Sequence, residues 1–268
     1  MCNRNSRNRI GDLLAHDTHV HSTYSYDGKS TMRQIAEYCC YKLDCDAIWI
    51  TEHLELDLSG NSIPFFNYDK IAEEIQLLSS EFSKPRLFLG VEVDFQSNIV
   101  KQIEEFLSSH RFDFVIGSIH HTSSFPQLIS HLGLEHRYYD EYFDECLAAV
   151  NSGLIDSLGH LLRPISFNLG GDIEKSPKLQ TVLEALAEEK IALELNTRHF
   201  EFSNALKIMK SFTSYGGNMV TLGSDAHHHS KLMFAFDKGK NLLLRSRIDG
   251  LTVFIDRCAM KIPIIANS

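Results

Sequence analysis

Short runs of Ile, Val, Leu and Phe alternate with helical stretches along nearly all of the 268 residues, and this rhythm limits the possible folds more than any other feature. The strand-like runs lie near Leu13–Asp17, Ala47–Ile50, Arg86–Val91, Phe112–Ile116, Ile155–Leu158, Ile191–Leu195 and Met219–Leu222, with an eighth at Leu251–Phe254. Helical spacing marks Thr31–Leu43, Tyr68–Phe82, Ile99–Ser108, Tyr138–Asn151, Pro177–Glu189, Asn204–Tyr215 and Met233–Leu244. Punctuation supports these spans. Ser30 precedes Thr31, Ser176 precedes Pro177 at a first helical position, and Gly153 and Gly216 follow helical stretches. The strand runs are continuously apolar, as in a parallel sheet covered by helices. Seven or eight such units predict a closed α/β barrel, with an open doubly wound sheet as the alternative. No GxGxxG follows the first strand, which removes the usual dinucleotide-binding version.

The absence of a low-complexity segment or a Pro/Gly-rich linker predicts one domain over residues 1–268, with residues 1–11 as a polar, flexible tail. No apolar run approaches the roughly 18–20 residues of a membrane span, and the start lacks the apolar stretch of a secretory signal. The formal charge of −9 and the lack of a basic cluster argue against a nucleic-acid footprint. They leave room for a small anionic substrate, because bound cations reverse the local sign. Six cysteines show neither a CxxC pair nor zinc-finger spacing, which points to free thiols in a reducing cytoplasm.

Histidine is the unusual residue, with 14 copies. The first strand runs into His19 and His21, the second into His53 and the third into Glu92. The fourth ends at His120, the fifth at His160, the sixth at Glu194, and the seventh at Asp225 and His227. In a parallel barrel the C-terminal strand ends open on one face, where active sites are built. One histidine after a strand is an ordinary structural residue. Seven consecutive strands ending this way predict a site.

His19 and His21, two apart in extended chain, point to one side and can grip one ion. Mixed nitrogen and oxygen donors suit zinc, manganese or iron. Nine candidate ligands exceed what a single tetrahedral ion needs, so the count predicts two or three divalent metal ions sharing a bridging carboxylate. Such a centre activates water and clamps phosphoryl oxygens, which predicts hydrolysis without naming the bond. His121 is a candidate donor or proton shuttle beside the cluster, and Glu52, Glu194 and Asn196 are candidates to support it from behind. His228 and His229 read as caps of a solvated helix start, and His16, His110, His131, His136 and His199 as surface or core residues.

The ordered segments DTHVHSTYSYDG (Asp17–Gly28), TEH (Thr51–His53), GVEVDF (Gly90–Phe95), DFVIGSIHH (Asp113–His121), SGLIDSLGH (Ser152–His160), LELN (Leu193–Asn196) and TLGSDAH (Thr221–His227) resemble the motifs of the polymerase-and-histidinol-phosphatase superfamily. With the helix YYDEYFDECLAAVNSG, the likeness points to its stand-alone histidinol-phosphate phosphatases and covers residues from about 15 to 255. The resemblance implies a distorted (β/α)7 barrel with three metals. His19, His21, Glu92 and Asp225 would hold one, Glu92 would bridge to a second with His120 and His160, and Asp27, His53 and His227 would hold the third. It adds Asp27, which the strand-end reading passes over because a DG pair reads as a turn. Glu92, Asp225 and His121 are then the candidate catalytic residues.

The sequence departs from those phosphatases after its GH motif. Leu162 stands where they usually carry Asp, and Arg163 comes early in GHLLRPISF. Arg163 and Arg198 are the candidate phosphate clamp, since guanidinium gives bidentate charged hydrogen bonds to phosphate. The expected activity is metal-dependent hydrolysis of a small phosphate monoester, with L-histidinol phosphate as the substrate the resemblance implies. A nucleotide phosphatase or nuclease of the same superfamily, and a non-catalytic metal-binding protein, are the competing readings.

Overall fold

The structure, a computed structural model, describes residues 15–62, 66–122, 139–162, 176–198 and 202–265. Seven strands lie side by side in chain order: β1 (His16–Val20), β2 (Ala47–Leu54), β3 (Arg86–Asp94), β4 (Phe114–Ser118), β5 (Ser157–Leu158), β6 (Ala192–Asn196) and β7 (Val220–Gly223). Every neighbouring pair is parallel. Val20 pairs with Ala226, and His21 N–H donates to the Ala226 carbonyl at 3.0 Å. The Thr18 hydroxyl reaches the Leu222 carbonyl at 3.0 Å. These bonds bring the first strand against the last, so the sheet is a nearly closed barrel and the open-sheet alternative is excluded.

The helices α1 (Met32–Tyr38), α2 (Tyr68–Glu81), α3 (Val100–Ser109), α4 (Tyr139–Asn151), α5 (Pro177–Glu188), α6 (Phe202–Ser214) and α7 (Phe236–Arg245) follow the seven strands in turn. Residues of β3 from Leu87 to Asp94 are buried without alternation, since helices cover one face and the barrel interior fills the other. Ser176 caps α5 ahead of Pro177, as expected. Gly153 and Gly216 take left-handed backbone after α4 and α6. The start of α1 shifts by one residue. Thr31 and Gln34 form a capping box, and the Ser30 hydroxyl instead meets His229 Nδ1 at 2.9 Å. The expected helix to Leu43 ends as a π turn over Cys39–Leu43, stopped by left-handed Asp44.

The eighth apolar run is not a barrel strand. Gly250–Ile255 (β8) pairs antiparallel with Cys258–Pro263 (β9). Val253, Phe254, Ile255 and Ile262 form an apolar cluster with Ala47, Trp49, Phe88, Phe114 and Ala192. Ala47, Phe114 and Ala192 are first residues of their strands, so the hairpin plugs the N-terminal end of the barrel. Two polar anchors fix it: Trp49 Nε1 donates to the Phe254 carbonyl at 2.7 Å, and the Arg257 guanidinium grips both oxygens of Asp156 at 3.0–3.1 Å. The opposite, C-terminal mouth is left for the polar residues. Among the described residues no helix is long and apolar enough to cross a membrane.

Candidate metal centre

All nine candidate ligands meet at that mouth, and Glu92 lies at their centre. Its Oε2 is 2.8 Å from His53 Nδ1 and 3.3 Å from the Nε2 atoms of His19 and His21. Its Oε1 is 2.8 Å from His160 Nε2 and 3.5 Å from His120 Nε2. Asp225 Oδ1 lies 3.5 Å from His21 Nε2 and 3.3 Å from His227 Nδ1. Asp27 reaches His227 Nε2 at 2.8 Å and His53 Nε2 at 3.4 Å.

Among the described residues, three groups place donor atoms within 4.8 Å of one another: His19–His21–Asp225, His53–Glu92–His120 and His21–His53–His227. They overlap the sets expected from the resemblance without coinciding with them, because the His53 ring lies between Glu92 and Asp27 and reaches both.

The donor set fits divalent ions. Nε2 atoms of His19 and His21 face each other at 3.1 Å, and those of His120 and His160 at 3.4 Å. Two neutral rings meeting by their lone pairs repel unless a proton or a cation lies between them. Glu92 Oε2, Asp27 Oδ1 and His53 Nδ1 are buried and lack any hydrogen-bond partner despite these near neighbours. Polar atoms that converge on shared points without hydrogen-bond geometry suit coordination, and buried carboxylates of this kind are otherwise costly. None of the three groups contains a cysteine, which favours imidazole- and carboxylate-loving ions.

Electrostatics point the same way. Burial and the neighbouring His53 and His227 keep the His21 pKa well below its ordinary value, so its lone pairs are available. Burial opposes protonation of His19, but Glu194 and Glu92 outweigh it and raise its pKa well above the ordinary value. Burial would raise Glu92, yet His19, His53 and His120 hold it well below the usual carboxylate range. The cluster is built around negative charge that wants cations.

Outer partners fix ring orientations, as is usual around metal-binding histidines. Glu194 Oε1 accepts from His19 Nδ1 at 2.7 Å, and its Oε2 accepts the His160 backbone N–H at 2.7 Å. Glu194 therefore stands behind the cluster rather than in it. The backbone of Gly223 passes so near that a Cβ there would strike both Glu194 and His19. Glu52 accepts from Ser22 and Ser25, and the Ser25 hydroxyl lies 3.1 Å from His21 Nδ1. Asp94 holds the His120 N–H at 2.9 Å and His121 Nδ1 at 2.8 Å. Ser118 donates to Glu92 Oε1 at 2.6 Å. His160 and Asp225 take left-handed backbone, a strain of about 1–3 kcal/mol that non-glycine residues carry mainly at functional sites.

His121 lies at the rim, part-exposed, with its ring anchored to Asp94. Arg198 reaches in from beyond β6, with Nη1 at 3.0 Å from Asp225 Oδ1 and 2.8 Å from His227 Nδ1. Arg163, His131, His136 and His199 lie outside the described residues. His228 caps a short 3-10 turn by accepting from Ser230 N–H, while His229 docks on Ser30. His16 is buried edge-on to Trp49, and His110 stacks on Phe106. Neither touches the cluster. Ser25 and Asp94 escaped the sequence reading because small polar residues in loops and at strand ends carry no periodic signal.

Seven parallel strands form a barrel whose C-terminal mouth carries a histidine–carboxylate cluster that could hold metal ions. The sequence matches the PHP domain over residues 17–198, and the chain belongs to the PHP family. It is 28% identical over 262 residues to a probable histidinol-phosphatase of Clostridium acetobutylicum, covering 92% of this chain and 99% of the relative. It is 28% identical over 261 residues to a histidinol-phosphatase of Lactococcus lactis, covering 89% and 93%. The solved histidinol phosphate phosphatase of Lactococcus lactis, complexed with zinc, L-histidinol and phosphate, superimposes with a TM-score of 0.82. That structure shares 25% identity and covers 93% of this chain and 100% of its own.

Proposed function

We propose that this protein is a metal-dependent phosphomonoesterase that hydrolyses L-histidinol phosphate to L-histidinol and phosphate, a step of histidine biosynthesis. The observation that carries the reading is the convergence of nine nitrogen- and oxygen-bearing side chains on one barrel mouth, in a PHP chain that matches a probable histidinol-phosphatase over 92% of its length and a histidinol-phosphatase over 89%. His19, His21, Asp27, His53, Glu92, His120, His160, Asp225 and His227 would hold three divalent ions, of zinc, manganese or iron. When bound, the ions lower the pKa of water towards neutrality and offset charge on the phosphoryl oxygens.

The chain's own residues supply position and proton transfer. Arg198, beside Asp225 and open to solvent on one side, orients the phosphoryl group through charge-assisted hydrogen bonds, and Arg163 is assigned the same part on sequence grounds. Glu92 bridges the ligand sets and keeps them in register. Asp225 would take the proton of the attacking water. His121, anchored to Asp94 through Nδ1 at the open rim, would return a proton to the leaving alcohol. The substrate is a small phosphate ester rather than a polymer, in keeping with the charge of −9. Free thiols at Cys39, Cys40, Cys45 and Cys146 support a place in the reducing cytoplasm.

Phosphate release by manganese- or zinc-loaded protein tests the proposal, comparing L-histidinol phosphate with nucleoside monophosphates and an aryl phosphate. Strong preference for L-histidinol phosphate, abolished by a chelator, is expected. Equal or faster hydrolysis of nucleotides would retain the chemistry and discard the substrate. Metal binding without turnover of any ester would refute the enzymatic reading.

A further inference from the structure

Two histidines of the cluster are held through Nδ1: His19 by Glu194 and His21 by Ser25. His120 is not. Its Nε2 faces inward, 3.5 Å from Glu92 Oε1, while its Nδ1 is buried on the outer side of the ring without a hydrogen-bond partner. The atom facing that nitrogen is Oε1 of Glu55, at 4.0 Å, and it too is buried without a partner.

A buried donor and a buried acceptor, each unsatisfied, cost about 1–3 kcal/mol apiece. Here each is the other's remedy. The gap exceeds an ordinary N–H···O distance by about 1 Å. An ion drawing on the lone pair of His120 Nε2 would place the ring proton on Nδ1, directly opposite Glu55. The Tyr26 ring stacks on His53 with centroids 5.3 Å apart, and burial together with the nearby Glu55 pushes the Tyr26 phenol pKa up. Glu55 thus lies beside the His53–Glu92–His120 group without belonging to it.

We propose that Glu55 is a positioning residue of the metal centre, accepting Nδ1–H of His120 and so leaving Nε2 free for the ion shared with His53 and Glu92. This rests on the metal-centre reading above and adds to it a residue that spacing and motif do not mark. Glu55 Oε1 is shut off from solvent, so the competing role, pairing with a cationic group of the substrate, is the less favoured.

The test is metal binding to full-length wild type, Glu55→Ala and Glu55→Gln, read by stoichiometry and by competition titration with a chromophoric chelator. Glu55→Ala should weaken one ion by about 10–100-fold, the usual cost of losing an outer partner. Glu55→Gln should recover wild-type affinity to within a few-fold, because its amide oxygen accepts the same N–H. If the alanine variant fails to fold, Glu55→Asp takes its place, since the shorter side chain cannot reach Nδ1. Unchanged affinity in the alanine or aspartate variant overturns the proposal. So does unchanged affinity in both alanine and glutamine variants with a raised KM for ammonium-bearing esters alone, which would assign Glu55 to substrate. Wild type that binds no ion refutes the metal centre and Glu55's role together. Wild type that binds ions but ignores L-histidinol phosphate refutes the substrate only, and the Glu55 result stands.

Discussion

Exchange of Glu194 for glutamine replaces one carboxylate oxygen by an amide NH2 at a position where both oxygens receive hydrogen bonds. His19 Nδ1 and the His160 backbone N–H each stand 2.7 Å from one oxygen of Glu194, and Asn196 Nδ2 adds a longer contact at 3.2 Å. Glutamine offers a single acceptor, so one of the two strong bonds must fail. If the NH2 faces His19, Nδ1 becomes the acceptor and the ring proton moves to Nε2, which removes His19 from ligation. If it faces His160, two N–H groups oppose each other in a buried site, at about 1–3 kcal/mol. Both outcomes weaken an ion, and loss of such an outer partner typically lowers metal affinity about 10–100-fold. That range corresponds to about 1.4–2.8 kcal/mol.

Competition titration and metal stoichiometry on Glu194→Gln measure the effect directly, and circular dichroism confirms that the variant is folded. Activity should drop at limiting metal and recover substantially at saturating metal. A folded variant with metal affinity within about twofold of wild type would refute the claim that Glu194 sets the His19 tautomer.

Two other expectations concern protons and stability. In the metal-free protein, burial opposes protonation of His53, but Glu92 prevails and its pKa is pushed up to about 10; His19 is likewise raised well above its ordinary value. Both rings therefore hold protons at pH 7 and must release them to bind ions, so affinity should climb as pH rises towards the raised pKa values. Calorimetric titration of metal in buffers of different ionisation enthalpy should show net proton release at pH 7, and zero release would contradict the assignment of these ligands. At the other end of the barrel, Arg257→Ala leaves the buried Asp156 carboxylate without its bidentate partner. Because the guanidinium is 34% exposed, the cost should fall between surface and buried pairs, at about 1–3 kcal/mol. Thermal unfolding should shift downward by several degrees with metal stoichiometry unchanged. Loss of metal in a stably folded variant would show that the plug also shapes the mouth.

Local pattern determined a large part of this protein. The strand–helix alternation is a short-range consequence of which residues are apolar, and it marked seven or eight strand–helix units along the chain. Because parallel strands share a direction, the same pattern placed His19, His21, His53, Glu92, His120, His160, Asp225 and His227 at one mouth before any contact was known. Family motifs added Asp27, which sits in a turn where local chemistry predicts only a bend.

Contacts between residues distant in sequence decided the rest. Closure depends on contacts such as His21 N–H to Ala226 O, Thr18 to Leu222 O and Ser224 N–H to Asp17, and these bring Asp225 and His227 beside the first strand. The run at Gly250–Ile255 is as apolar as a barrel strand, yet it folds back on Cys258–Pro263 and fills the barrel floor. Its hydrophobicity sets burial but not partner. Glu194 occupies a strand end like the ligands, and the direction of its side chain alone puts it behind His19. Glu55 illustrates the same limit: two helices and two strands separate it in sequence from His120, whose Nδ1 it faces through space, and periodicity cannot carry such a distance.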